Sequence, residues 1–199
     1  MTLLRPILPC LLLGAAAALA QDPPPPAKEK EDPQAAAVKL AEQYVALIKE
    51  QKATEALREH WSFERLCAGI FKGDWEKLSA ADKAATAKGF HDVLLPTLTD
   101  PSVAKAMAGA SYEGFEAKPP EKGKVEVSFT VTLPLPDAQP TKQFLWAQKV
   151  DGKWLIVDMA HAAAEKRLTK SIGAQWAQTR KEHDGITPLD YVRLMAQGR

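Results

Sequence analysis

The sequence is poor in cysteine, in aromatic residues and in net charge. Two cysteines, Cys10 and Cys67, occur in 199 residues, too few for a disulfide framework. Aromatic side chains make up 7%, and 26 basic residues stand against 25 acidic ones. Without a surplus of positive charge there is no strong field to draw a nucleic acid. No apolar run outside the extreme N-terminus approaches the ~20 residues that cross a bilayer, which excludes a helical channel. A Gly-rich phosphate loop and a Gly-x-Ser-x-Gly elbow are both missing. The four histidines, His60, His91, His161 and His183, fall on four different segments. With no His-x-x-x-His or Cys-x-x-Cys spacing, no metal site is expected. What is present, 46% hydrophobic and 26% charged residues, is the make-up of an ordinary globular domain.

The single long apolar stretch, Ile7 to Ala20, follows one basic residue, Arg5, and ends Ala18-Leu19-Ala20 before Gln21. About 14 residues are too few to span a membrane, and the small-x-small ending is that of a secretory cleavage site. Residues 1–20 are therefore expected to be a signal peptide removed after Ala20. Cleavage would take Arg5 and Cys10 with it, leaving a neutral chain with Cys67 as its lone thiol. Residues 21–33 hold four consecutive prolines, Pro23 to Pro26, and then Lys28-Glu29-Lys30-Glu31-Asp32. Such a segment stays extended and solvated, so it reads as a linker. Residues 34–199 are expected to form one domain.

Within that domain the apolar period is first helical. Ala37, Leu40, Tyr44, Leu47 and Ile48 form one stripe, and a second helical piece covers Thr54 to Glu59. Leu66, Cys67, Ile70 and Phe71 form the face of a short helix that Gly73 is expected to stop. Ser79 and Asp82 open the next helix as a capping box. Its stripe is Ala87, Phe90, Leu94 and Leu98, with Pro96 expected to bend the last turn. Asp100-Pro101 begins a short helix ending near Gly109.

After Ser111 the period becomes two. Val125, Val127, Phe129, Val131 and Leu133 alternate with polar residues, the pattern of an antiparallel strand with one buried face. Two further strands, 141–150 and 153–160, flank the hairpin dipeptide Asp151-Gly152, and Tyr112 to Lys118 reads as a fourth. Helix returns over Ala162 to Lys181, and Thr187-Pro188-Leu189-Asp190 caps a last one through Ala196. The order predicts an α+β fold, with helices on one face of a twisted antiparallel sheet of about four strands.

Few residues invite chemistry. Cys67 sits on an apolar helical face and reads as a small core residue. Asp158, on the last strand among apolar neighbours, is the best candidate base. Alternation places it with Trp154 and Ile156, opposite Leu155, Val157 and Met159, and a partly solvated strand position accounts for it more simply.

Three stretches carry a resemblance. Phe63-Glu64 is followed by Ile70-Phe71, Trp75, Leu78-Ser79, Phe90 and Leu94-Leu95. The run Val150-Asp151-Gly152-Lys153-Trp154-Leu155-Ile156-Val157-Asp158-Met159 comes next. The chain closes with a helix and a short capped helix through Tyr191 and Leu194. Together, over about residues 34–195, these resemble the MlaC and toluene-tolerance family of periplasmic phospholipid-binding proteins. The Asp-Gly-Lys-Trp hairpin is also similar to that of cone-shaped domains resembling nuclear transport factor 2. That keeps an exported small-molecule enzyme, or a plain interaction module, as the alternative.

The resemblance implies a cone-like carrier in the periplasm, not an enzyme and without a cofactor, whose cargo is a phospholipid. It further implies an inner-membrane ABC transporter complex and an outer-membrane lipoprotein as partners. The acyl chains would lie between sheet and helices. Expected lining residues are Leu66, Ile70, Phe90 and Leu94 from helices, Val127, Phe129, Val131, Phe144, Trp146, Val157 and Met159 from strands, and Ile172 from the C-terminal helix. Lys166, Arg167 and Lys170 are candidates for a headgroup or membrane contact. The same apolar faces would equally build a solid core, so the question left to the tertiary structure is whether the layer is hollow.

Overall fold

Asp32 starts the fold: its carboxylate accepts a hydrogen bond from the Gln34 amide at 2.9 Å, and Pro33 occupies the first turn of helix α1 (Pro33–Lys49). This is the expected economy of a helix start, an oxygen for an orphan N–H and a proline where no N–H is needed. The computed structural model describes residues 31–161 and 167–198; the signal-peptide reading and most of the linker reading lie outside them. Helix α2 (Ala53–His60) and helix α3 (Phe63–Phe71), the latter capped by the Ser62 hydroxyl, follow closely.

Gly73 does not stop α3. The chain instead leaves that helix through Lys72, at φ 51°, and Gly73 opens the single turn α4 (Gly73–Glu76). Helix α5 (Ala80–Thr99) begins at Ser79, whose Oγ accepts from the Asp82 amide at 3.1 Å. Pro96 lies inside its final turns, yet the helix continues to Thr99. Its buried positions are Thr86, Ala87, Phe90 and Val93, so Val93 continues the stripe where Leu94 was expected. Asp100 then caps α6 (Pro101–Gly109) through the amides of Ser102 and Val103.

Four strands form one antiparallel meander in the order β1 (Ser111–Ala117), β2 (Lys124–Thr132), β3 (Thr141–Val150) and β4 (Lys153–His161). The β3–β4 turn has Asp151 at φ 48° and Gly152 at φ 84°, the two left-handed residues of a type I′ hairpin. Helices α7 (Leu168–Glu182) and α8 (Pro188–Gln197) follow, α8 with a full Thr187–Asp190 capping box. The helix expected from Ala162 is described only from Leu168; residues 162–166 lie outside the described set. The result is α+β, as the sequence order predicts.

One bulge decides which side chains face the helices. β3 and β4 pair Trp146 with Asp158 but Ala147 with Ile156, so Val157 is an extra residue in the ladder. Ile156 and Met159 therefore share the inner face although they are three positions apart, while Val157 and Asp158 go to the outer face with Trp146 and Phe144. Strict alternation, which put Asp158 with Ile156 and Val157 with Met159, fails here because a bulge inserts one residue without a partner.

Helix α1 lies across the inner face of all four strands. Gln34 ties its start to β1 by donating from Nε2 to the Ala117 carbonyl at 2.9 Å. Trp61 and Ser62 run beside the outer part of β4, with the Ser62 amide donating to the Ile156 carbonyl at 2.9 Å, which covers part of that exposed edge. Helices α3, α5, α7 and α8 pack on one another around Phe71. Its ring meets Phe90 at 6.2 Å, Trp176 at 5.2 Å and Tyr191 at 6.1 Å, all edge to face. Gly89 admits α8: a Cβ there would lie 2.7 Å from Val192 Cγ1. Cys67 is fully buried in this cluster, and burial pushes its thiol up to about 12, so it is a packing residue rather than a nucleophile.

His60, at the end of α2, gives the fold a pH dependence. The ring is buried, its Nδ1 is without a hydrogen-bond partner, and burial, with the nearby Lys153 charge, holds its pKa below the ordinary value. A base whose pKa is lowered by folding favours the folded state above its unfolded value of about 6.5. As the pH falls below that value the unfolded chain takes up the proton first, and stability drops. Urea unfolding at pH 7.5 and pH 5.5 is expected to show this loss, and His60→Gln is expected to flatten the part of the slope that belongs to this ring.

Candidate functional site

The inner layer is solid at one end and hollow at the other. Toward the β3–β4 turn, Val125, Val127, Ala147 and Ile156 are fully buried and belong to one continuous core with Ala37, Leu40 and Ala41 of α1. Toward the opposite end of the strands, a cavity of about 360 Å³ opens between sheet and helices. Helix α1 supplies Tyr44, Val45 and Ile48 as one wall. Phe129, Val131, Leu145 and Met159 form the sheet side, and Leu98, Met107, Tyr112 and Leu133 close the flanks. Thr141, Gln143 and His161 stand at its strand-end rim, with Gln143 and His161 directly opposite each other on β3 and β4.

The walls carry no charge. Burial pushes the Tyr44 and Tyr112 phenols up to about 12, so both are neutral at any physiological pH. Tyr112 also donates its hydroxyl to the Met107 carbonyl at 3.0 Å, joining β1 to α6. An apolar chamber of this size lies in the range of about 300–1,000 Å³ found for small-molecule sites, with its few polar groups gathered at one end. A wider groove of about 600 Å³ between α3 and α7 is lined by Ile70, Phe71, Trp176 and Ala177 together with Lys72, Asp74, Lys77, Arg180 and Lys181. Five charged side chains share that lining, whereas among the described residues no Lys, Arg, Asp or Glu borders the chamber under α1.

Of the residues expected to line a lipid site, Phe129, Val131 and Met159 do reach the cavity. Leu66, Ile70, Phe90, Val127 and Ile172 do not; they are buried against other core side chains. Leu94 is half-buried on α5, one position off the buried stripe. Phe144, Trp146 and Val157 form a separate small cluster on the outer face of the sheet, because β3 alternates in register with β2 and the β4 bulge moves Val157 across. Arg167 and Lys170 line a second pocket on that outer face, and Lys166 lies outside the described residues. Tyr44 and Ile48 carried a visible signal, the helical stripe of α1. What the sequence did not reveal is that this stripe, with only Leu98 from that of α5 and nothing from that of α3, faces the hollow end of the sheet.

Asp158 is buried but fully engaged. It accepts from the Met159 amide at 3.0 Å, the Thr169 amide at 3.1 Å and the Thr169 hydroxyl at 2.5 Å. It is 2% exposed rather than partly solvated, because the bulge aims it at the first turn of α7, a helix whose N-cap residue Arg167 offers no side-chain cap. A carboxylate at that place satisfies orphan N–H groups and complements the helix dipole. Asp158→Ala is expected to cost about 2–4 kcal/mol in chemical unfolding, through lost charge-assisted hydrogen bonds and a stranded amide. Asp158→Asn, which keeps an acceptor, should recover much of it.

No protein-family model matches the sequence, and no curated protein sequence matches it either. Among solved structures, the chain is similar in fold to a phospholipid-binding protein from Ralstonia solanacearum in complex with a phospholipid, with a TM-score of 0.61 and 17% identity. The match covers 84% of this chain and 96% of that one. At that identity the likeness establishes a shared α+β fold.

Proposed function

We propose that this protein binds the acyl part of a phospholipid in the cavity under α1 and carries it through the periplasm between membranes. The observation that carries the reading is the cavity itself: a chamber of about 360 Å³ with largely apolar walls and, among the described residues, no Lys, Arg, Asp or Glu in its lining. At about 30 Å³ per water-sized group it has room for about a dozen methylenes. Burying a methylene is worth about 0.8 kcal/mol, so a dozen hold a tail by about 10 kcal/mol against water. Bilayer and cavity are similar solvents for that tail, so exchange between them needs little driving force and the direction of transfer is left to partners. The fold shared with a protein that was solved with a phospholipid supports the same ligand class. So does the resemblance of the hairpin and helices to the MlaC and toluene-tolerance family. On that resemblance the partners would be an inner-membrane ABC transporter complex and an outer-membrane lipoprotein.

The test is lipid extraction and mass spectrometry of the full chain purified from cells without detergent. Phospholipid at a sizeable fraction of one equivalent is the expected result. A protein that folds normally, arrives without lipid and takes none up from vesicles overturns the proposal.

A further inference from the structure

The cavity and the cationic pocket on the outer face of the sheet have one lining residue in common. His161, at the end of edge strand β4, lines both the apolar chamber and a pocket of about 390 Å³ formed with Arg167, Lys170, Phe144, Trp146 and Glu126. An adjoining pocket of about 520 Å³ shares Arg167, Lys170, Trp146 and Glu126 and extends toward the β1–β2 connection. Five cations and two carboxylates line the pair, an excess of three positive charges in a chain whose net charge is +1. Glu126, the carboxylate common to both, is held by Lys118 at 2.6 Å. Among the described residues neither Arg167 nor Lys170 is paired with a carboxylate. The central carbon of the Arg167 guanidinium lies over the Trp146 ring, 4.0 Å from its centroid. A cation held over an aromatic face is restrained in position while its N–H groups can still fork onto an oxyanion. The hydrogen bonds from Thr169 to Asp158, described above, hold the turn that carries Arg167 and Lys170 against the sheet.

We infer that Arg167 and Lys170 form a subsite for a phosphate group, and that its ligand is the phosphodiester of a lipid whose tail occupies the apolar cavity, passing the sheet edge at His161. The inference rests on the acyl-binding reading above and adds to it a preference for anionic over uncharged heads. A phosphate between a forked guanidinium and an ammonium gains charge-assisted hydrogen bonds that an uncharged glycerol head does not.

The test compares two single-chain probes, lysophosphatidylglycerol and monoacylglycerol, on the full chain and on K170Q, R167K and R167Q/K170Q. Melting curves confirm folding, and K170Q and R167K carry the test if the double variant unfolds. Lysophosphatidylglycerol should bind more tightly than monoacylglycerol. The double variant should lose about tenfold to a hundredfold for the phosphate-bearing probe and little for the uncharged one, with R167K intermediate. Equal binding of lysophosphatidylglycerol by all folded forms overturns the subsite while leaving the cavity reading intact. If neither probe binds any form, the cavity reading has failed and the subsite with it. Inorganic phosphate binding as tightly as the lipid probe would identify a free anion as the ligand and overturn the lipid assignment.

Discussion

Val131→Trp should empty the protein of copurifying lipid and leave its melting temperature within a few degrees of the parent, whereas Val127→Trp should lower stability outright. The two valines are four residues apart on one face of β2, and both are nearly inaccessible to solvent, at 7% and 0%. What separates them is the space beyond the side chain. Val131 borders the cavity, so an indole there can enter existing volume and occupy the place of a tail. Val127 does not border the cavity; it is fully buried beside Ala117 on β1, and its other ladder partner, Leu145, is the residue at which the cavity begins. Overpacking such a position costs about 1–3 kcal/mol through displaced backbone and poor rotamers. For a domain of this size each kcal/mol moves the midpoint by about 2–4 °C. Lipid content and melting point measured on the same preparations separate a hollow layer from a solid one. Equal destabilisation by both changes, with lipid unaffected, would mean that the hollow end is not where the ligand sits.

The second large effect is expected far from the cavity. Phe71→Ala should lower stability by about 3–5 kcal/mol, a shift of about 10 °C or more in the melting midpoint. The ring is 2% exposed and makes edge-to-face contacts with Phe90, Trp176 and Tyr191, joining α3, α5, α7 and α8. Each such pair adds about 0.5–1.5 kcal/mol beyond area burial. Since total stability of a domain is about 5–15 kcal/mol, the variant should still fold at low temperature. Its folded fraction should keep the parent's lipid content, because none of these rings borders the cavity. A variant that melts like the parent would refute the role of Phe71 as the hub of the helical half.

These two predictions divide the molecule along a line that runs through the sheet and not between sequence segments. Phe90 and Leu66 looked as suitable for a lipid wall as Ile48 and Leu98. All four are apolar and recur at helical spacing. Phe90 and Leu66 met other helices and filled the space completely, while Ile48 and Leu98 stand where α1, α5 and the strand ends leave space between them. No local pattern distinguishes a side chain that finds a neighbour from one that faces a void.

What the sequence alone determined is everything that depends on short range. The capping residues Ser79, Asp100 and Thr187 placed three helix starts, and Asp151-Gly152 placed a hairpin, because hydrogen bonds over two to four residues and left-handed backbone angles are local properties. The period-two run of β2 assigned Val125, Val127, Phe129 and Val131 to the inner face for the same reason. Only the tertiary structure decided the role of Asp158, the side taken by Val157, and the place where the layer opens. A bulge in β4 is a matter of pairing with β3, and a cavity is a matter of how far one element stands from another. Both are set by contacts between residues distant in the chain, which the order of amino acids records only once the chain has folded.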